Sequence, residues 1–195
     1  TLHSSGATSL QWLPDSYLGP VIRTRQFEPL DIGITNNLPE SSVVHWHGLD
    51  VPSDMDGHPI HAVGPATPYK ARLPILNRAG TYWYHPHPDM RTGVQVYQGL
   101  AGVFIVSDDE EQGLDLPRQE LDVPLVLQDR LVGVNNEFLY AMDGINGVLG
   151  DRILVNGRPN YVHDVSTRVH RVRVLNGSNA RIYKLSFDRP DLHMV

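Results

Sequence analysis

Two short histidine motifs carry the strongest chemical signal in the sequence. HWHG places His45 and His47 two residues apart, and HPH places His85 and His87 at the same spacing. In a β-strand, residues i and i+2 point to the same face, about 6.5 to 7 Å apart. Metal–nitrogen bonds are only about 2 Å long, so the two imidazoles of one motif suit separate ions of a cluster. Two such motifs together suggest more than one metal ion.

The residues around both motifs argue against ordinary surface histidines. A single His-x-His motif is more often a solvated strand face than a metal site. Here the motifs lie in apolar and aromatic sequence, VVHWHGL and TYWYHPH, where an imidazole without a ligand would need a buried hydrogen-bond partner. Pro86 adds a structural expectation. It lacks a backbone donor, which predicts that its strand lies at a sheet edge or leaves the sheet locally.

The elements that position these motifs are predicted to be short β-strands. The chain has 195 residues, 41% of them hydrophobic, with 17 glycines and 15 prolines dividing it into short segments. This pattern is typical of an all-β sandwich or barrel. In LDIGITNNLP, apolar and polar residues alternate with the period of a half-buried strand. No convincing amphipathic helix is found.

An acidic stretch, SDDEEQG, follows the apolar run LAGVFIV and predicts a solvated connector between two units. We predict a first domain at residues 1–107, a linker at 108–119 and an incomplete second domain at 120–195. The second unit is too short to close, which suggests that the chain ends within a strand.

Two local patterns predict structure inside the second unit. An Asn156-Gly157 pair in ILVNGRP is typical of a tight hairpin turn. In IYKLSF, alternation predicts a strand with Tyr183, Leu185 and Phe187 on one face.

Composition excludes several classes of partner. The net charge is −6, with 16 basic and 22 acidic residues, so no basic face for nucleic acid is expected. No apolar run reaches the roughly 18 to 20 residues of a membrane span, and the first residues show no signal-peptide pattern. The chain contains no cysteine and therefore offers neither a disulfide nor a thiolate ligand.

Longer segments around the motifs resemble a known family. HWHGLDVPSDMDGHP and AGTYWYHPHPDMRTGVQVYQGLAGVFIV resemble the first domain of multicopper oxidases, in particular the laccase-like and bacterial cuprous-oxidase group. ILVNGRP and VHRVRVLNGSNARIYKLSF resemble the start of that family's second domain. The resemblance implies a cupredoxin-like Greek-key β-barrel, with one complete domain and part of a second.

The resemblance also implies roles for individual residues. His45 would hold a type 2 copper ion, His47 and His85 would share one type 3 copper ion, and His87 would bind the other. Neutral imidazole suits copper in either relevant oxidation state. Asp56, in SDMDG, resembles a loop acid that relays protons near this site, although an Asp-Gly turn residue is the alternative reading.

Several of the family's parts are missing from this sequence. The type 1 copper needs a cysteine, and a C-terminal His-Cys-His motif and an HxxHxH motif would supply the other trinuclear ligands. The resemblance therefore implies that a second chain or a continuation carries the remaining cupredoxin domains. The completed protein would oxidise an unknown substrate one electron at a time, reduce dioxygen to water, and be periplasmic or secreted.

Two other functions stay open on sequence alone. One is a copper-free scaffold like the cell-division proteins of this fold, which tend to lose ligand histidines. The other is a simple copper- or zinc-binding module. The remaining histidines are expected to be surface or structural residues: His3, His58, His61, His163, His170 and His193.

Overall fold

The structure is a computed structural model that describes residues 17–189 and 191. Within these residues the chain is mostly β-structure, as the sequence predicted. The strands are β1 (Ile22–Arg25), β2 (Leu30–Asn36), β3 (Val44–His47), β4 (Thr67–Leu73), β5 (Gly80–Pro86), β6 (Gly102–Ser107), β7 (Asp122–Arg130), β8 (Arg152–Val155) and β9 (Arg171–Asn176). Two short α-helices, α1 (Thr92–Tyr97) and α2 (Asp109–Gln112), and two 3₁₀ turns, Pro59–His61 and Gln119–Leu121, connect them.

The first six strands form two sheets around one apolar core. One sheet has the order β1-β6-β5-β3, with β1 parallel to β6 and the other pairs antiparallel; the second sheet pairs β2 with β4. Trp46, Tyr84 and Phe104 from the first sheet pack in one cluster with Ala71 and Leu73 from the second. Trp46, between His45 and His47, and Tyr84, just before His85, thus belong to the core, which leaves the histidines on the other face.

A third sheet, with the order β8-β7-β9, follows the connector. Val126 of its central strand packs against Val103 and Ile105 of β6, so this sheet rests on the first one. On β9, Val172 and Val174 are exposed.

The local predictions for this region had mixed outcomes. Asn156 and Gly157 both have positive φ, 49° and 76°, and form a two-residue turn bridged by Val155 and Arg158, as predicted. The predicted strand around Tyr183 is wrong, because residues 177–189 pair with no strand of the described chain and Ile182 is 92% exposed. The expectation that the chain ends within a strand falls on residues outside the described range.

The prediction for Pro86 had two alternatives, and the second is confirmed: β5 is not an edge strand, but it leaves its pairing with β6 before Pro86. β5 lies between β3 and β6, but its pairing with β6 ends at Tyr84 opposite Gly102. The His87 N–H bonds to the Val43 carbonyl on the β3 side. Backbone groups of neighbouring strand residues point to opposite sides, so the N–H that Pro86 lacks would have pointed away from β3. No ladder bond is lost there.

The helices were missed by the sequence analysis, because each is too short to show a helical period. The acidic stretch is also not fully solvated. Asp108 is buried and caps α2 by accepting a hydrogen bond from the Glu111 N–H. Among the described residues, no helix is long and apolar enough to cross a membrane.

Candidate metal centre

The two histidine motifs lie side by side on one sheet face. In the antiparallel β3–β5 ladder, His45 stands directly opposite His85, and His47 stands opposite Trp83. Trp46 points into the core, and its Nε1 donates a hydrogen bond to the Met55 carbonyl at 3.1 Å. The buried indole therefore fixes which face of β3 carries the histidines.

All four predicted histidines come together in this structure. The His47 Nδ1 and His85 Nε2 atoms are 3.1 Å apart, and one potential ligand atom each from His45, His47 and His85 lie within 4.8 Å of one another. His87, just beyond β5, has its ring centroid 5.3 Å from that of His45 and 6.2 Å from that of His85.

Backbone carbonyls determine which ring nitrogen of two of these histidines carries a proton. The His85 Nδ1 is 2.8 Å from the Pro86 carbonyl, and the His45 Nδ1 is 2.8 Å from the Asp56 carbonyl. A carbonyl only accepts, so each Nδ1 carries a proton, and in the neutral ring Nε2 is then the nitrogen with the lone pair. This is the arrangement by which proteins orient imidazole ligands toward a metal.

The charge state of the site also suits a cation. Burial lowers the pKa of His85 to about 4, and repulsion from the neighbouring imidazoles acts in the same direction, against a bond to the Pro86 carbonyl. Partial burial lowers the pKa of His47, helped by His45 and opposed by Asp56. Both rings are therefore neutral at pH 7, the form in which histidine binds a metal.

The donor set fits copper. Two nitrogens that each lie about 2.0 Å from one ion at a tetrahedral angle are about 3.3 Å apart. The observed 3.1 Å between His47 and His85 matches this separation closely. The His87 Nδ1 is buried without a hydrogen-bond partner among the described residues, as expected for a group that awaits a ligand. Imidazole donors suit copper and zinc alike.

Asp56 lies against His45 rather than between the four rings. Its Oδ1 is 3.1 Å from the His45 Nδ1, and its side chain is 38% exposed. Gly57, with φ of 75°, brings the loop this close, because a Cβ there would lie 2.2 Å from the Val44 carbonyl oxygen. Asp56 is therefore both an Asp-Gly turn residue and a neighbour of the metal centre.

Trp83 is a member of the site that the sequence analysis missed. Its ring centroid is 4.3 Å from that of His85 and 5.1 Å from that of His47. The signal was present in the spacing, because a residue two positions before His85 shares its strand face. Trp83 thus covers one side of the pair that can share an ion.

The other histidines do not join this site within the described range. His58 and His61 are exposed on the 3₁₀ turn, as predicted, with ring centroids 6.4 Å apart. His163 and His170 lie in the second unit. His3 and His193 lie outside the described residues.

Comparison with known proteins gives relatives of two kinds. A family model described as multicopper oxidase matches residues 3–111. The chain is 34% identical over 165 residues to a Staphylococcus aureus protein named multicopper oxidase mco, covering 84% of this chain and 37% of that protein. It is 35% identical over 182 residues to the cell division protein FtsP of Escherichia coli, covering 92% of this chain and 39% of that protein.

Solved structures give the same answer for the fold. The McoA multicopper oxidase of Aquifex aeolicus matches with a TM-score of 0.77 and 44% identity over 83% of this chain and 37% of that one. A laccase-like multicopper oxidase, CueO, from Ochrobactrum sp. matches with a TM-score of 0.79 and 35% identity over 85% of this chain and 38% of that one. The chain thus spans about two fifths of its relatives' length. It has the cupredoxin fold, and it belongs to the multicopper oxidase family.

Proposed function

We propose that this chain is the N-terminal part of a multicopper oxidase and supplies four ligands of a trinuclear copper centre. A second chain or a continuation with the remaining cupredoxin domains would complete the centre and provide the type 1 copper. The whole protein would couple one-electron oxidation of a reducing substrate to reduction of dioxygen to water. The observation that carries this proposal is the convergence of four imidazoles, with the His47 and His85 nitrogens 3.1 Å apart.

Each histidine has a separate task in this proposal. His47 and His85 would hold one type 3 ion together, His87 would hold the other, and His45 would hold the type 2 ion. When bound, copper would store and deliver the electrons that reduce dioxygen. The chain's own contribution is to present oriented nitrogens, through the carbonyls of Pro86 and Asp56.

We assign the proton supply to Asp56. Reduction of dioxygen to water consumes four protons, and a carboxylate beside the site can deliver them as a general acid, a role that contributes typically 10²- to 10⁴-fold. The contact of Asp56 with the His45 Nδ1 supports this assignment, because it places the carboxylate next to one ligand while 38% of its side chain remains exposed. Solvent can therefore reload it.

The ligand assignment is tested by copper content and oxygen consumption of the polypeptide that carries these residues together with its C-terminal domains. His87→Ala should lose copper and turnover, because it removes one ligand. His170→Ala is the control, since His170 lies in the second unit and contacts the Arg168 carbonyl. Full copper content and turnover in His87→Ala would show that the assignment is wrong.

The role of Asp56 is tested by stopped-flow reoxidation of the reduced protein by dioxygen across pH. Asp56→Asn keeps the shape of the side chain and tolerates an Asp-Gly type of turn, so copper loading should stay normal. It cannot carry a proton, so reoxidation should slow by about 10²-fold, most at high pH. Equal rates in wild type and variant would leave Asp56 as a turn residue only.

A scaffold function is the second candidate, and the match to FtsP over 92% of this chain favours it. A simple metal-binding module is the third. The metal stoichiometry separates them: a scaffold should bind no copper, a simple module should bind one ion without oxidase activity, and the oxidase should bind several with activity. We also propose that the protein is periplasmic or secreted, which fractionation of the source cells would test.

A further inference from the structure

The end of the β3–β5 ladder next to the metal centre has few backbone donors. His87 is flanked by Pro86 and Pro88, and proline has no N–H. The His87 N–H, bonded to the Val43 carbonyl at 2.9 Å, is therefore the one backbone donor of these three residues. A single backbone N–H therefore holds His87 at the point where the chain leaves β5.

A buried glutamine side chain supplies further hydrogen bonds near this segment. Gln95 lies in α1, which begins five residues after His87, and its side chain is fully buried. Its Oε1 accepts a hydrogen bond from the Ser42 hydroxyl at 2.8 Å, and its Nε2 donates to the Ser41 carbonyl and to Glu40 Oε1, both at 3.0 Å. All three partners belong to the segment that leads into β3.

The same segment is held by a second contact from the start of α1. The Arg91 Nε donates to Glu40 Oε2 at 2.8 Å, so one carboxylate receives both Gln95 and Arg91. Burial acts to raise the pKa of Glu40, but the bonds from Arg91 and Gln95 outweigh it and hold the pKa below its ordinary value. The carboxylate therefore stays charged and keeps both contacts at neutral pH.

We propose that Gln95 is a positioning residue for the metal centre, fixing the His87 segment against the start of β3. The contacts form a closed ring, from His87 along the chain to Gln95, across to Ser42, on to Val43, and back to the His87 N–H. A buried amide is costly unless bonded, and here both N–H donors and the oxygen are used. The inference rests on the proposed function only in that the centre binds metal.

The test compares substitutions of two buried glutamines in the polypeptide that carries these residues together with its C-terminal domains. Gln95→Leu removes the three bonds at similar volume. Gln128→Leu is the matched control, because Gln128 is also 0% exposed but lies in β7, with one long bond of 3.4 Å to the Gly177 carbonyl. Titration with Zn²⁺ alone should give a dissociation constant about 10-fold weaker for Gln95→Leu, near the lower end for residues that support ligands. Gln128→Leu should bind as wild type does.

A measurement without metal keeps this inference separate from the proposed function. The imidazole Cε1–H resonances of His45 and His87 should shift in Gln95→Leu and stay in place in Gln128→Leu. If Gln95→Leu does not fold, Ser42→Ala removes one of the three bonds and should shift the same resonances by less. A wild type that binds no Zn²⁺ counts against the metal centre, whereas unchanged resonances and equal Zn²⁺ affinities in both glutamine variants overturn the role of Gln95.

Discussion

Two regions of the molecule place polar side chains at half-buried or buried positions. They differ in whether these side chains are bonded to charged partners of the fold. On the β3–β5 face, four imidazoles lie close together, and the His87 Nδ1 has no hydrogen-bond partner in the described chain. Where β7 and β9 meet the first sheet, Asp122 and Arg173 are charged, and each is bonded to the other. Polar groups that partner each other hold a fold together, whereas converging groups with free lone pairs indicate a ligand.

The charged region joins the third sheet to the first. Asp122 accepts hydrogen bonds from the Arg173 Nε at 2.6 Å and from the Arg23 Nη1 of β1 at 2.8 Å. Arg173 also donates to the Thr81 hydroxyl of β5 at 2.8 Å. The side chains of Asp122 and Arg173 are only 5% and 7% exposed. Water therefore screens the Asp122–Arg173 pair little, and each of the two depends on the other.

The largest expected effect is on stability in the charged region. Asp122→Ala removes the carboxylate that bonds directly to the buried Arg173 and should lower the free energy of unfolding by about 3 to 5 kcal/mol. Asp31→Ala is the control, because Asp31 pairs with Arg72 at 3.7 Å with both side chains exposed, a pair worth about 1 kcal/mol or less. Urea denaturation measures both. Similar losses in the two variants would mean that the buried network does not join the sheets.

The next effect concerns the histidine region, where a substitution should mainly reduce the stabilisation by metal rather than the stability of the metal-free protein. Zn²⁺ at 100 times its dissociation constant should raise the free energy of unfolding of the wild type by about 2.7 kcal/mol, because it binds the folded state only. His85→Ala should lose most of this increase. Without metal, the variant should lose less stability than Asp122→Ala, since the buried ring that it removes contacts the Pro86 carbonyl and His47 but bonds to no charged group among the described residues. Thermal denaturation with and without Zn²⁺ checks both statements.

Sequence patterns predicted the histidine region better than the charged one. The residue types and their spacing predicted that His45, His47, His85 and His87 share one face, because strand alternation and the family motifs are local features of the sequence. The partners of Asp122 were not predictable, since Arg23 lies 99 residues away and Arg173 lies 51 residues away along the chain. Nothing in local alternation encodes which distant charges will meet.

The same distinction explains the outcomes of the two predictions about strands. The alternation around Tyr183 is real, but a strand also needs a neighbour, and none lies beside it in the described chain. Pro86 indicated either an edge strand or a local departure from the sheet, and the second holds, because the pairing with β6 ends at Tyr84. Local patterns thus predict which face a residue takes, and the sheet neighbours depend on the whole topology.

A smaller effect is expected at the Asp56 loop, where one substitution should change both stability and metal affinity. Gly57→Ala should destabilise the protein by more than about 1 kcal/mol, because φ is positive there and a Cβ would meet the Val44 carbonyl. The loop must move away from β3, so the His45 Nδ1 should lose its contact with Asp56 and metal affinity should fall. Gly144→Ala is the control, because a Cβ there meets nothing within 4 Å. Zn²⁺ titration and denaturation of both variants provide the comparison.

The smallest effect is the dependence of stability on acid in the charged region. Burial acts to raise the pKa of Asp122, but the hydrogen bonds from Arg173 and Arg23 outweigh it and leave the pKa below the ordinary 3.8. The charged groups that face this carboxyl are these two arginines, with Glu111 beside Arg173 at 4.0 Å. A carboxyl with a lowered pKa stabilises the fold fully above its unfolded pKa, and this stability is lost as the pH falls through the folded value.

Wild type should therefore lose stability more steeply than Asp122→Asn below about pH 4, by about 1.4 kcal/mol for each pKa unit of the lowering. Asp122→Asn should be less stable than wild type at pH 7, so the slopes are compared rather than the absolute values. Asp31→Asn serves as the control, because its exposed pair with Arg72 should leave the slope nearly as in wild type. Urea denaturation at a series of pH values from 7 to 2 measures all three. Parallel curves for wild type and Asp122→Asn would show that Asp122 titrates alike in the folded and unfolded chain, and the buried pairs would then not account for the acid sensitivity of this region.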